Sequence, residues 1–380
     1  MDRANGVAHR PSAPAHPPIC PCPLAARFAG NPTPRGDKFF AARKRKGVSA
    51  MMSRLRTDVM RLVTAGAGAV ALILAAALPS FSQESVSLRL DWSALGYHAP
   101  FFYGVAKGYY KEQGLDLRVE DGRGSAAAAT LVGNNNDDFG FADATTAARL
   151  INDGLPAQVV MGIFQRSTSS LFFRKGTMQT PKDLVGKRVS MCSGDGMSIY
   201  LPVYLKAIGL KPNDAQMVTV DCSVKYTAVA QDRADAVASL ATAGKPLLRA
   251  VGIQDVASFD FADAGVVMPS HGIIASRQKI QTSPDTIRRF TAATAKSWDE
   301  ARKNPGAAVD ALIAARPLLK DKKALLEETL VDALVYLGGT KDKPFGWQSP
   351  DDWKKAEAIL SEYAGMTRKT TEPFFTNQFR

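Results

Sequence analysis

The chain has 380 residues, with 48 Lys and Arg against 36 Asp and Glu, a formal charge of +12. The excess sits at the front: residues 1–82 hold 12 of the basic and 3 of the acidic side chains, which leaves +3 on residues 83–380. The charge therefore argues for no nucleic-acid partner, and no CxxC pair or His/Cys cluster argues for a zinc site.

Residues 1–50 are rich in Pro and Arg ("PSAPAHPPICPCP", "ARKRKG") and lack apolar periodicity, so no packed core is expected there. The segment reads as a disordered leader, or as an over-extended reading frame if Met51 or Met52 is the start. Residues 51–82 have the three-part layout of a signal peptide. Arg54, Arg56 and Arg61 come first, then the apolar run Leu62–Leu78, then Ser80 and Ser82 before a cut at Gln83. A retained anchor is the alternative, but the apolar run is shorter than the ~20 residues of a membrane span. Export makes a disulfide between Cys192 and Cys222 admissible, as these are the two cysteines after residue 82.

From residue 83 onward strands and helices alternate. "VSLRLD" (86–91) alternates apolar and polar, a strand pattern. Pro100 opens a helix carrying Phe101, Val105 and Tyr109, and Gly114 stops it. "LDLRVE" is a strand, "SAAAATLVGNN" a helix, "DDFGFAD" a strand and "TTAARLINDG" a helix. "AQVVMGIF" and "SSLFFRK" are strands. The pattern restarts with the strand "RVSMC", a helix opened by "GDGMS" and closed at Gly209, the strand "AQMVTVD", the helix "YTAVAQDRA" and the strand "DAVASL". Such alternation implies an α/β fold of βαβ units with mostly parallel sheets, and the length suggests two lobes. After about Ser283 the chain turns helical. Two helices begin Ser-Pro-Asp, with Ser as cap, Pro in the first turn and Asp at the positive helix end.

Ligands of open parallel sheets bind beyond the carboxyl ends of the strands. That rule selects Asp91, Trp92, Tyr97 and His98 after the first strand, Ser125 after the second, Asp143 and Thr145 after the third, and Gln165 after the fourth. In the second block it selects Ser193, Asp195, Ser198 and Ser239. Each has a second reading. Trp92 and Tyr97 serve either as ring-stacking plates or as packing. His98 precedes Pro100 and could only cap a helix, and His271 could be a hinge residue. "GDGMS" could present helix N–H groups to a ligand oxygen, or be a plain glycine turn. "DDFGFAD" lacks the other kinase motifs. "GRGSAA" followed by Asp143 matches a dinucleotide fingerprint only loosely.

The ordered set "YHAPFFYGVAKGYYKEQGLDLRVE", "DDFGFADATTAARL", "TPKDLVGKRVSM", "YLKAIGLKPNDAQMVTVD", "QDRADAVASL" and "SPDTIRRFTAATAKSWDEARKNPGAAVDAL" resembles the periplasmic solute-binding proteins of ABC importers. Within them it is most similar to the thiamine-precursor (NMT1/THI5-like) branch, related to sulfonate- and taurine-binding proteins. The resemblance spans about residues 86–365. It implies a two-lobed type II binding-protein fold with a helical C-terminal segment packed on lobe one. Crossings are expected near Phe172–Lys175 and Val266–Ile274, so that lobe one is 83–173 plus 274–380 and lobe two is 174–273. It implies no catalytic residue and no cofactor. The implied partners are a small-molecule ligand and an inner-membrane permease, and the implied state is a periplasmic monomer released by cleavage near Ser82.

Pyrimidine-binding relatives carry "DW", a loop and "HAP"; here Asp91-Trp92, "SALGY" and His98-Ala99-Pro100 stand in that order, without the usual Asn-Pro loop. The resemblance leaves two other functions open. One is a pyrimidine-precursor synthase, which would need a Lys Schiff base to pyridoxal phosphate and a Cys-rich motif absent from this sequence. The other is sulfonate binding, which Asp195 opposes. Cys192 and Cys222 end consecutive strands of lobe two, and would be within disulfide reach if those strands are neighbours.

Overall fold

The computed structural model describes residues 83–165, 168–192, 195–338 and 342–380. The leader and signal peptide expected at 1–50 and 51–82 lie outside the described residues. The first run of elements is β1 (Glu84–Arg89), α1 (Ala99–Ala106), α2 (Tyr109–Glu112), β2 (Leu115–Glu120), α3 (Ser125–Gly133), β3 (Phe139–Asp143), α4 (Ala144–Asn152) and β4 (Ala157–Gly162). The single helix expected after Pro100 is two, divided at Lys107 and Gly108. The second run is β5 (Ser169–Arg174), β6 (Arg188–Cys192), α5 (Met197–Ala207), β7 (Gln216–Val220), α6 (Lys225–Ala230), β8 (Ala236–Leu240), α7 (Ala241–Ala250) and β9 (Val256–Asp260). The chain ends with β10 (His271–Ser276), α8 (Arg277–Thr282), α9 (Pro284–Lys303), α10 (Pro305–Ala315), α11 (Lys323–Leu334) and α12 (Pro350–Ala364).

These strands make two five-stranded sheets of the same plan, β2-β1-β3-β10-β4 and β7-β6-β8-β5-β9. In each sheet four strands run parallel, and the strand in fourth place opposes both its neighbours. The opposing strands are exchanged: β5 follows β4 in sequence but pairs in the second sheet, and β10 follows β9 but pairs in the first. The first crossing thus precedes Ser169, rather than falling at Phe172–Lys175. Residues 169–174 explain why. Leu171 and Phe173 point to one core and Phe172 to another, so the segment needs a sheet covered on both faces. The second crossing ends at His271, where β10 begins, inside the expected Val266–Ile274.

The same period-two logic builds the first sheet. Phe139, Phe141, Ile273 and Ala275 face the core shared with α1, α9, α10 and α11, while Ala142 and Ile274 face α3 and α4. Phe139 stacks on Phe290 with centroids 3.8 Å apart. Each such buried ring contributes ~1.5–3 kcal/mol relative to exposure.

The helical C-terminal segment covers more than the first sheet. The α12 residues Ala356 and Leu360 join the core of Tyr200 and Tyr204 on α5, and Lys206 Nζ on α5 donates to the Tyr363 carbonyl at 2.5 Å. Trp353, on the same helix, packs instead with Phe374 and Phe375 against the first sheet. The tail then lies beside β4: Val159 N–H donates to Phe374 O and Thr376 N–H to Val159 O, both at 2.9 Å. Of the two Ser-Pro-Asp starts, Ser349 caps α12 by accepting from Asp352 N–H, but the Ser283 side chain makes no cap bond on α9.

Candidate functional site

The exits of β1, β2 and β3 face the exits of β6, β7 and β8 across a cavity of about 520 Å³, part of it open to solvent. Asp91, Trp92, Tyr97, Ser125, Asp143 and His271 line it from the first sheet, and Asp195, Lys225, Tyr226 and Ser239 from the second. Leu95, Met197, Leu240, Ala243 and Leu247 add an apolar corner.

The β1 exit is clamped by the loop after β2. Gly122 N–H donates to Trp92 O at 3.0 Å and Gly124 N–H to Asp91 O at 2.6 Å. A Cβ on Gly122 would overlap the Leu90 carbonyl, so only glycine allows this approach. "GRG" therefore serves the Asp91-Trp92 turn.

Asp91 is buried between two imidazoles. His98 Nδ1 accepts from Leu95 N–H at 3.0 Å, and His98 Nε2 donates to Asp91 Oδ1 at 2.7 Å. His271 Nε2 donates to Asp91 Oδ2 at 3.1 Å, while its Nδ1 meets Ser270 Oγ at 3.1 Å. Burial alone would raise the Asp91 pKa, but the charge and hydrogen bond of His271, with the hydrogen bond of His98, outweigh it and hold the carboxyl far below its usual range. Burial alone would lower the His271 pKa, but Asp91 outweighs it and holds the imidazole above its ordinary value. Burial, with Asp91 alongside, pushes the Tyr97 phenol well up.

Asp143 caps α4. Its Oδ1 accepts from Thr146 N–H at 2.7 Å and Thr146 Oγ1 at 2.8 Å. Its Oδ2 accepts from Tyr200 Oη at 2.9 Å, a bond from α5 across the cavity to the first sheet. Burial raises the Asp143 pKa, only partly countered by His271 and these bonds. No cation pairs with Asp143 within 4 Å among the described residues. The α5 start reaches this contact because residue 196 is glycine; a Cβ there would press on Thr146 Oγ1 at 3.2 Å.

On the second sheet, Asp195 accepts from Met197 N–H at 3.0 Å, taking up one N–H of the α5 start. It pairs with Lys225 Nζ at 3.0 Å. The Lys225 ammonium also lies 5.5 Å from the Trp92 ring centroid and 5.4 Å from that of Tyr226. Burial alone would lower its pKa, but Tyr226, Asp195 and Asp91 together raise it. Tyr226 Oη is 2.6 Å from Ser239 Oγ. The structure joins Cys192 to Cys222, linking the β6 and β7 exits.

Asp91, Trp92, Tyr97, Ser125, Asp143, Asp195 and Ser239 are thus brought to one cavity, and four other expected residues are not. His98 stands behind Asp91 because the 3-10 turn Gly96–His98 folds its ring inward. The Thr145 hydroxyl donates to Pro269 O at 3.0 Å. Gln165 faces a separate recess and donates to Trp347 O at 3.2 Å. Ser198 is exposed, its hydroxyl bonded to Asp195 O. Ser193 lies outside the described residues. Sequence reasoning missed Lys225 and Tyr226 and read His271 only as a hinge. One signal for Lys225 was available: Ala228 and Val229, three and four residues on, mark that helix face as buried.

Comparison with known proteins matches residues 96–308 to the family model described as "NMT1/THI5 like". A curated relative, 4-amino-5-hydroxymethyl-2-methylpyrimidine phosphate synthase THI11 of Saccharomyces cerevisiae, is 27% identical over 158 residues, 41% of this chain. The match spans 46% of that protein, so the chain covers about half the length of the first such relatives. The formylaminopyrimidine-binding protein of Halalkalibacterium halodurans is 22% identical over 290 residues, 74% of this chain and 86% of that protein. Among solved structures, the alkanesulfonate-binding protein SsuA from Xanthomonas axonopodis pv. citri bound to MOPS aligns with TM-score 0.59 at 14% identity, covering 74% of this chain and 93% of that one. This likeness concerns the fold: two α/β sheets with flanking helices, as in periplasmic binding proteins. No helix among the described residues is long and apolar enough to cross a membrane.

Proposed function

Because the chain belongs to the NMT1/THI5-like family, we propose that it is the solute-binding component of an ABC importer, working without catalysis in the periplasm and delivering its ligand to a permease. The solute is a flat nitrogenous aromatic compound, of which a pyrimidine is one example, neutral or bearing an amine. The observation that carries this reading is the division of labour in the cavity wall. Trp92 and Tyr226 offer ring faces. Asp91 and Asp195 are each bonded to cationic or imidazole partners, which leaves Asp143 as the carboxyl free of an ion pair, suited to accept from a ligand N–H. A sulfonate would meet the Asp143 carboxyl, which no cation among the described residues pairs with, and this disfavours it.

A pyridoxal phosphate-dependent synthase fits these residues poorly. Lys225, the lysine on the wall, is ion-paired and held above its ordinary pKa, so an ammonium rather than a nucleophilic amine faces the cavity.

The test is to purify the protein, expose it to growth extract, and identify any retained compound by mass spectrometry. A true ligand at a hundred times its Kd stabilises the fold by about 2.7 kcal/mol and is recovered unchanged. If no nitrogenous aromatic is retained and none shifts the melting temperature, or if the compound is consumed, the reading fails.

A further inference from the structure

The disulfide lies beside the cavity wall, where its position suggests more than stapling. The β6–β7 ladder ends at Cys192 opposite Val220. Beyond it one chain leads on to Asp195, and the other passes through the turn Cys222–Val224 to Lys225. The disulfide joins the two, with each half-cystine three residues before one member of the ion pair. Cys192 also touches its member directly: Cys192 N–H and Sγ lie 3.4 and 3.5 Å from Asp195 Oδ2, the oxygen that Lys225 holds at 3.0 Å. The Lys225 backbone is tied separately, through its carbonyl to Ser190 Oγ at 2.9 Å. Without the bond nothing covalent ties the Asp195 turn to the Cys222 turn here, and the two are free to move relative to each other.

We propose that the Cys192–Cys222 disulfide is a positioning element of the cavity: it sets the Asp195–Lys225 pair, and through it the ammonium that lies against Trp92 and Tyr226. This rests on reading the cavity as the ligand site, and it makes that site responsive to thiol–disulfide state. Binding constellations tolerate only about 0.5 Å of slack, so a small shift of this pair weakens binding.

The first measurement needs no ligand. The full chain is reductively methylated with formaldehyde and a borane, and each lysine is followed by peptide mass spectrometry. Lys225, with 6% of its side chain exposed, should be protected in the parent. In Cys192→Ala/Cys222→Ala it should label about tenfold faster. Lys279, 15% exposed and paired with Asp138 at the first sheet, should not change. Asp195→Asn with the bond intact should release Lys225 equally, and combining the changes should add nothing. If the cysteine variant does not fold, oxidised and dithiothreitol-reduced parent are compared instead. Unchanged Lys225 labelling, or an equal rise at Lys279, overturns the proposal. A second arm titrates 4-amino-5-hydroxymethyl-2-methylpyrimidine by calorimetry, with about tenfold weaker binding expected without the bond. If the parent does not bind this compound, the chosen ligand class suffers, while the labelling result still decides the role of the disulfide.

Discussion

Asp91→Asn would remove the charge that organises the first-sheet side of the cavity. The carboxylate is 5% exposed and receives His98 at 2.7 Å and His271 at 3.1 Å. Hydrogen bonds to a charged group are worth about 1.5–3 kcal/mol each, and removing one partner of a buried ion pair costs about 3–5 kcal/mol. Asparagine fills the same volume, so no cavity penalty is added. A loss of roughly 3–5 kcal/mol follows, which at ~2–4 °C per kcal/mol lowers the melting temperature by roughly 10 °C. The pH dependence is a sharper test. The depressed Asp91 pKa contributes stability present above its ordinary 3.8 and lost as pH falls through the folded value. The raised His271 pKa contributes stability present in full below its ordinary 6.5 and lost as pH rises through the folded value. The gap between parent and variant is therefore widest between these two ordinary values and narrows toward alkaline pH. Calorimetric melts across that range decide it. A gap that stays flat into alkaline pH, or a variant that melts within about 2 °C of the parent near pH 6, would refute the picture of a charged His271–Asp91 pair.

Three further outcomes are expected. Tyr200→Phe removes the α5 donor to Asp143, costs about 1–3 kcal/mol and raises the Asp143 pKa further, which a carboxylate NMR titration would register. Gly122→Ala forces the β2 exit away from Leu90 and costs about 1–3 kcal/mol by crowding, with altered Trp92 fluorescence as the local reporter. Trp353→Ala removes the ring stacked on Phe375, destabilises by about 3–5 kcal/mol and exposes the last dozen or so residues to protease before the rest of the chain.

The sequence carried the fold well where periodicity speaks for itself. "LDLRVE" forms the expected strand because its side chains alternate, "RVSMC" because it is a short, largely buried run, and "SAAAATLVG" forms the expected helix because alanine favours one. It failed where pairing is non-local. Nothing within "SSLFFRK" says that its partners are β8 and β9, and nothing in "SHGIIAS" says that His271 will stand opposite Asp143. The site divides the same way. The strand-end rule found Asp91, Trp92, Asp143 and Ser239, since sheet topology alone places them. Ring orientation sent His98 behind Asp91, and Lys225 enters the cavity only after a short 3-10 turn that the rule stops short of.

The last helix and tail have a mechanical consequence. Besides the two covalent crossings, α12 is fastened to α5 on the second sheet, while the residues after it lie against β4 on the first. Any widening of the mouth must stretch or peel this tether, along with the Arg249–Glu328 pair between α7 and α11, which restricts its swing. A pair of fluorescent dyes placed to report gaping should therefore register a larger excursion once the tail is cut away.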